Sequence, residues 1–306
     1  MTLKEEFYLE VENYRASGEF ESETILWYDV SNDLSVSNAK AYRVLIVILA
    51  ICGGLFALSF LLYFTVFGFD FYNSFSILVL LLAIILIYLW AEKKQYHKKY
   101  MEYRVLAESL RIQDYISKAG IDERISDRLP LLIQNDIGWV KEVLEELPLN
   151  HYEKQPILHF WIEDQLNYHQ SAIKKANRRK KLYDNLSDLS IVLTVISYFT
   201  ILVLELLISN QVIVEEGLVF TPVDLKLYLG LISVVALLYN SIYGKKSLPE
   251  MIGNHERMIS LYNDAKKEIE NNGESVELAM FLADECLIEN SLWYAFQKQN
   301  KIEIVL

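Results

Sequence analysis

Proline and glycine are scarce in this chain, 5 and 11 among 306 residues. So few breakers leave little material for the tight turns of a many-stranded fold, and an all-α chain of long helices is expected. Cysteine is scarcer still. Cys52 and Cys286 stand far apart, which argues against a disulfide framework and fits a reducing compartment. Basic residues are outnumbered, 29 against 41 acidic ones, and the formal charge of −12 speaks against nonspecific nucleic-acid binding by the surface as a whole. Any anion site has to be local. Also missing are a glycine-rich phosphate loop, a Gly-x-Ser-x-Gly elbow and a Cys-His zinc pattern. Glu215 and Glu216 are adjacent rather than opposed across a cleft, so acid–base catalysis has no support. The chain therefore reads as a non-enzyme with no cofactor and no assigned metal site. Residues before Asn38 are acidic and polar and do not resemble a secretory signal.

What is abundant is apolar surface, 53% of the residues. Two runs, Val44–Phe69 and Phe75–Trp90, are separated only by Asp70-Phe71-Tyr72-Asn73-Ser74. The first is uncharged and exceeds the roughly 20 residues that cross a bilayer. The second is shorter, but Phe71, Tyr72, Tyr88 and Trp90 at its ends are aromatics of the kind that settle at headgroup depth. A buried helical pair in a soluble domain is the competing explanation, and the lack of charge weighs against it. A third run, Leu186–Ile208, and a shorter fourth, Leu225–Tyr243, form a second hairpin. Lys40, Arg43, Lys93, Lys94, Lys180, Lys181, Lys245 and Lys246 flank the same ends of all four, while Glu215, Glu216 and Asp224 occupy a connecting loop. By the positive-inside rule both termini and the central block are cytoplasmic.

The expected fold is an all-α integral membrane protein whose four transmembrane helices extend into a cytosolic helical bundle. Its divisions are an N-terminal arm at 1–37, a first transmembrane hairpin at 38–90, a cytosolic helical region at 91–185, a second hairpin at 186–243 and cytosolic C-terminal helices at 244–306. The arm reads either as a short amphipathic helix or as a mobile tail, with Ile25-Leu26-Trp27-Tyr28 available to tether it. Ser31-Asn32-Asp33 suggests a loop, after which Ser37 or Asn38 caps the first span. No breaker lies between Ser74 and Ala119, which predicts one rod of roughly 70 Å ended by Gly120. Ile157–Ile208 is likewise free of breakers and predicts a cytosolic helix feeding the third span. Gly273 splits the last helices, and Ile302–Leu306 offers an edge or clamp.

Four groups of residues stand out as candidates. In the third span Ser190, Thr194, Ser197, Ile201, Glu205 and Ile208 share one stripe at 100° per residue. Polar side chains there turn away from lipid, so Ser190, Thr194, Ser197 and Glu205 are expected to line a path. Two other readings stay open: Glu205 snorkels to the outer interface, and the hydroxyls serve helix packing. Lys174, Lys175, Arg178, Arg179, Lys180 and Lys181 concentrate positive charge just before that span, either for an anionic trigger or for anionic headgroups. Arg104, Glu108 and Arg111, with Gln165, Glu289, Asn290 and Trp293, carry complementary charges and amides on three helices, suited to a structural latch rather than a ligand pocket. His159 and Glu163, four apart, with His169 beyond them, hint at a metal, but no completing ligand is evident.

Tyr103-Arg104-Val105-Leu106-Ala107-Glu108-Ser109-Leu110-Arg111-Ile112-Gln113 with Ala119-Gly120-Ile121, then Trp161-Ile162-Glu163-Asp164-Gln165 with Tyr168, then Glu285, Glu289-Asn290 and Trp293, resemble the framework of the SLATT-type bacterial membrane effectors. That resemblance implies a membrane-disrupting or channel-forming effector of antiphage defence in the bacterial inner membrane, one setting being a Hailong-type pair of nucleotidyltransferase and membrane protein. It further implies a nucleotide or oligonucleotide signal from a partner nucleotidyltransferase. Four expected spans depart from the family's basic two, and no sensor domain is fused, which bears on the trigger. The functional expectation is a gated oligomeric channel, a homo-oligomer and by preference a tetramer, surrounded by membrane lipids. The alternative is a non-conducting scaffold that recruits a partner.

Overall fold

The computed structural model describes residues 2–62, 71–150, 152, 154–212, 221, 224–233 and 248–299. Among them there is no strand. The helices in chain order are α1 (Leu3–Ser17), α2 (Glu23–Leu62), α3 (Phe71–Lys94), α4 (Tyr96–Lys118), α5 (Leu131–Asp136), α6 (Gly138–Glu146), α7 (Leu158–Ser209), α8 (224–233), α9 (Leu248–Asn272) and α10 (Val276–Gln299), with a 3-10 turn at Ile125–Arg128. They fall into two compact units. One comprises Met1–Tyr42, Gln95–Lys175 and Pro249–Leu306; the other comprises Arg43–Lys94 and Ala176–Leu248.

The first unit is built around α4. That helix buries side chains on nearly every side, including Tyr103, Val105, Leu106, Leu110, Ile112 and Ile116, as a helix does when neighbours surround it. Its end follows from Gly120, whose φ of +76° is open to glycine at little cost. The amide of Gly120 donates to Ser117 and that of Ile121 to Ile116, both at 3.0 Å, which is the Schellman pattern. A Cβ at Gly120 would meet the backbone of Lys154 at 3.3 Å. Gln113, buried within the last two turns of α4, accepts from the Ile125 amide at 2.9 Å and donates to the Glu123 carbonyl at 3.0 Å, pinning the loop that follows. Arg124 in turn donates to the Leu144, Glu145 and Leu147 carbonyls, satisfying the open end of α6.

The N-terminal arm is docked. Thr2 and Glu5 form a reciprocal capping box on α1, Phe7 and Val11 are buried, and Phe7 meets Trp27 edge-on at 5.7 Å. Lys99 pairs with Glu6 at 2.6 Å and the Tyr103 hydroxyl donates to the Leu3 carbonyl at 3.1 Å. The loop expected at Ser31-Asn32-Asp33 does not form, because α2 already runs from Glu23. Ser31, Ser37 and Asn38 donate to the Tyr28, Leu34 and Leu34 carbonyls one turn back, so side chains that could cap a helix instead ride on one. Ser35 reaches across to the Tyr100 carbonyl at 3.2 Å.

The long rod expected from Ser74 is interrupted at Gln95, which adopts φ +54° between α3 and α4. A left-handed non-glycine residue carries local strain of order 1 kcal/mol or more. Gly273, at φ +81°, separates α9 from α10 as its position suggested.

Three helical stretches, each with residues in both units, are long and apolar enough to cross a membrane: Glu23–Leu62, Ser74–Lys118 and Leu158–Ser209. Their most apolar windows are 6%, 0% and 6% buried by the chain itself. Val44, Ile51, Leu82, Leu86, Val195 and Phe199 are among the exposed apolar side chains. α7 closes with a Schellman pattern as well, Gln211 donating to Ile208 and Val212 to Leu207, both at 2.9 Å, with Gln211 at φ +56°. The fourth expected span is helical over 224–233, where Gly230 lies against Leu61 so closely that a Cβ would come within 2.7 Å of its methyls. Asn240, Tyr243, Lys245 and Lys246 of that hairpin, the loop with Glu215 and Glu216, and the tail Ile302–Leu306 lie outside the described residues.

Candidate functional site

On α4, Arg104, Glu108 and Arg111 occur at spacings that bring their heads together on one face. One oxygen of Glu108 pairs with Arg104 and the other with Arg111. The carboxylate is mostly shielded, so these contacts are less screened than surface pairs. Arg111 also donates to the Gln165 carbonyl oxygen on α7 at 3.3 Å, and the Gln165 amide donates to Asp164 at 3.0 Å. Burial works against the charge on Arg111, but Glu108 together with Cys286, Tyr115 and Tyr28 outweighs it and the guanidinium pKa is raised. The Arg111 Nε is buried without a partner among the described residues.

α10 brings Glu289 to the same field. Burial and then the Glu108 charge push its carboxyl up to about 7, although Arg111, Arg104 and Arg257 pull the other way. Asn290 donates to the Val105 carbonyl on α4, and Trp293 meets Tyr100 edge-on at 5.5 Å. Four of the seven expected latch residues, Arg104, Glu108, Arg111 and Gln165, are thus joined by direct contacts. Glu289 is coupled to them by charge. Asn290 and Trp293 tie α10 to other turns of α4. Glu285 pairs with Arg257 of α9 at 2.8 Å.

α9 contributes a group that was not anticipated. Nδ1 of His255 lies 2.8 Å from Nδ1 of His169 on α7, and one nitrogen of each ring and a Glu289 oxygen lie within 4.8 Å of one another. His169 is buried, and its Nε2 has no partner among the described residues. Its pKa is lowered to about 3 by burial, by His255 and by Arg111. Tyr262 stacks near His169 at 5.8 Å and shares a 2.9 Å contact with Cys286. Burial pushes the Cys286 thiol up to about 12, which leaves it protonated and a poor nucleophile. The signal for His255 was its period: with Met258, Tyr262 and Ala265, all buried, it follows a three-four-three spacing along one face of α9. His159, by contrast, sits 3.3 Å from Glu163 on a half-exposed surface, apart from the buried pair.

The remaining candidates lie elsewhere. Lys174, Lys175, Arg178, Arg179, Lys180 and Lys181 are all exposed. Ser190, Thr194 and Ser197 are half-buried within one chain, on a run continued by the buried Ile201. The Ser190 hydroxyl donates to the Leu186 carbonyl at 2.8 Å, so it needs neither water nor a second helix. Glu205 is exposed and pairs with Lys226 at 2.6 Å.

No curated protein and no solved structure matches this chain. Residues 23–118, which hold α2, α3 and α4 with the Arg104–Glu108–Arg111 triad, carry a DUF4231 domain, described as a protein of unknown function.

Proposed function

We propose that the chain is a membrane effector of bacterial antiphage defence that forms a gated homo-oligomeric channel, controlled through its cytosolic helices by a nucleotide-type ligand or a protein partner. It spans the inner membrane four times with both termini cytoplasmic, and the preferred assembly is a tetramer. The observation that carries this reading is the bare apolar surface: helical windows that are at most 6% buried by their own chain need lipid and further copies to cover them. Four spans in one chain hardly enclose a wide aqueous path, so conduction requires several copies around an axis. α2 and α7 each contribute residues to both compact units, which gives a change in the helical bundle a covalent route to the spans. The DUF4231 match is compatible with the resemblance to SLATT-type effectors.

In this reading Ser190, Thr194 and Ser197 face a cation path, and one Glu205 per subunit rings its outer end. The arginine-rich latch holds the bundle in one arrangement, and the basic residues from Lys174 to Lys181 meet an anionic trigger or headgroups. A non-conducting scaffold is the second reading. It is favoured by the Glu205–Lys226 pair and the Ser190 back-bond, which satisfy polar groups of α7 without any pore. Recording from the purified protein in planar bilayers separates them. The channel predicts cation-preferring currents whose selectivity falls in Glu205→Gln. An assembled oligomer that passes no current across the range of candidate nucleotides supports the scaffold.

A further inference from the structure

We propose that His169, His255 and Glu289 form a binding site for a divalent transition metal of the zinc type, clasping α7, α9 and α10 together inside the helical unit. Three helices supply these residues, and one ligand-capable atom from each lies within 4.8 Å of the others. A chance solvated cluster would not be buried. Here His169 is 1% exposed, while His255 and Glu289 are partly covered.

The hydrogen-bond arithmetic of the imidazole pair is the second observation. Two neutral rings meeting through Nδ1 share one proton. If His169 donates, its Nε2 is a buried lone pair; if His255 donates, that Nε2 is an N–H with no acceptor among the described residues. Either tautomer leaves the orphan at Nε2. A pair held only by mutual hydrogen bonding gains little from such burial, whereas imidazole nitrogens are strong ligands for a borderline cation.

The donor set chooses the ion. Two nitrogens and one carboxylate suit zinc and its first-row neighbours and are poor for calcium or magnesium, which take oxygen cages. Two nitrogens on a tetrahedral zinc stand about 3.3 Å apart, from bonds of 2.0–2.1 Å, a separation reached by small side-chain shifts when the ligand atoms already lie within 4.8 Å of one another. A water or small anion takes the fourth place. Arg111 on α4 opposes a dication here, as do Arg104 and, more weakly, Arg257, while Glu108 and Glu289 favour it. Three guanidinium groups against two carboxylates leave the surroundings no net pull on a dication, and the nitrogen bonds decide the affinity.

The test uses the full chain in detergent, stripped with EDTA and titrated with Co²⁺ and then Zn²⁺. The expected result is one Co²⁺ per chain with the intense visible absorption of a tetrahedral nitrogen and oxygen site, displaced by Zn²⁺, and a higher melting temperature with Zn²⁺. His255→Asn and Glu289→Gln should each weaken binding by about tenfold or more, as loss of a ligand does at least as strongly as loss of a supporting partner. Both positions are partly exposed, so these variants stand in for His169→Ala should that one fail to fold. Wild-type protein that takes up no Co²⁺ overturns the site. So does binding that is undiminished in both variants, which would place the metal elsewhere.

Discussion

Asn290 on α10 donates its amide to the Val105 carbonyl on α4 at 3.2 Å, the same carbonyl that receives the Ser109 hydroxyl at 2.9 Å. One backbone oxygen thus joins two helices 185 residues apart in sequence. Because both side chains are buried, removing the Asn290 amide should cost about 1–2 kcal/mol, the usual loss for a buried hydrogen bond. Thermal melting of Asn290→Ala against the exposed control Glu277→Ala measures it, and equal melting temperatures would remove Asn290 from the packing account.

Glu108 bridges two guanidinium groups, so deleting it does more than delete a pair. Arg104 and Arg111 are left as neighbouring like charges with little water to screen them. Glu108→Ala should destabilise the protein by roughly 3 kcal/mol, Arg104→Ala by less because Arg111 remains to pair, and Gln165→Ala by about 1 kcal/mol. Denaturant midpoints rank the three. A larger loss from Arg104→Ala than from Glu108→Ala would contradict the arrangement.

The buried acid and the buried base pull stability in opposite directions with pH. Glu289 has a raised pKa, so its favourable contribution is full below its ordinary 4.5 and is lost as pH climbs through about 7. His169 has a lowered one, so its contribution is present above 6.5 and is lost as pH falls toward about 3. Between these limits the two trends offset each other, under the field of Glu108, Arg104, Arg111, Arg257 and His255. Glu289→Gln removes one of them, and the EDTA-treated variant should gain stability with rising pH up to about 6.5 where the wild type is flatter. Parallel melting profiles for the two proteins would show that Glu289 does not titrate differently on folding.

Topology is open to chemical labelling in intact cells. With termini and basic flanks inside, Lys98→Cys should resist a membrane-impermeant thiol reagent and Glu216→Cys should react. The reverse pattern would invert the orientation. Cys52 and the buried Cys286 set the background to subtract.

Helix ends that need a special backbone were legible from residue type: Gly120 and Gly273 both adopt positive φ where a break was expected. Gln95 adopts it too, and nothing in its side chain announces the fact. Ser31, Ser37 and Asn38 misled for a different reason, since the same short polar groups cap a helix or bond back along it, and burial decides which. Charge spacing on α4 placed Arg104, Glu108 and Arg111 together because the contact is local. The meeting of His169 and His255, 86 positions apart, depends on how three helices pack, and periodicity along each helix carries no information about its neighbour.

Gln113 has a consequence for the evolution of the chain. Its buried amide both gives a hydrogen bond to the Glu123 carbonyl and takes one from the Ile125 amide, copying the edge of a peptide unit. A glutamate of the same length cannot donate while ionised, a leucine can do neither, and an asparagine falls one methylene short. Random mutation at codon 113 should therefore meet a far narrower set of survivors than at the neighbouring apolar Ile112, where a methyl gained or lost can be absorbed by repacking.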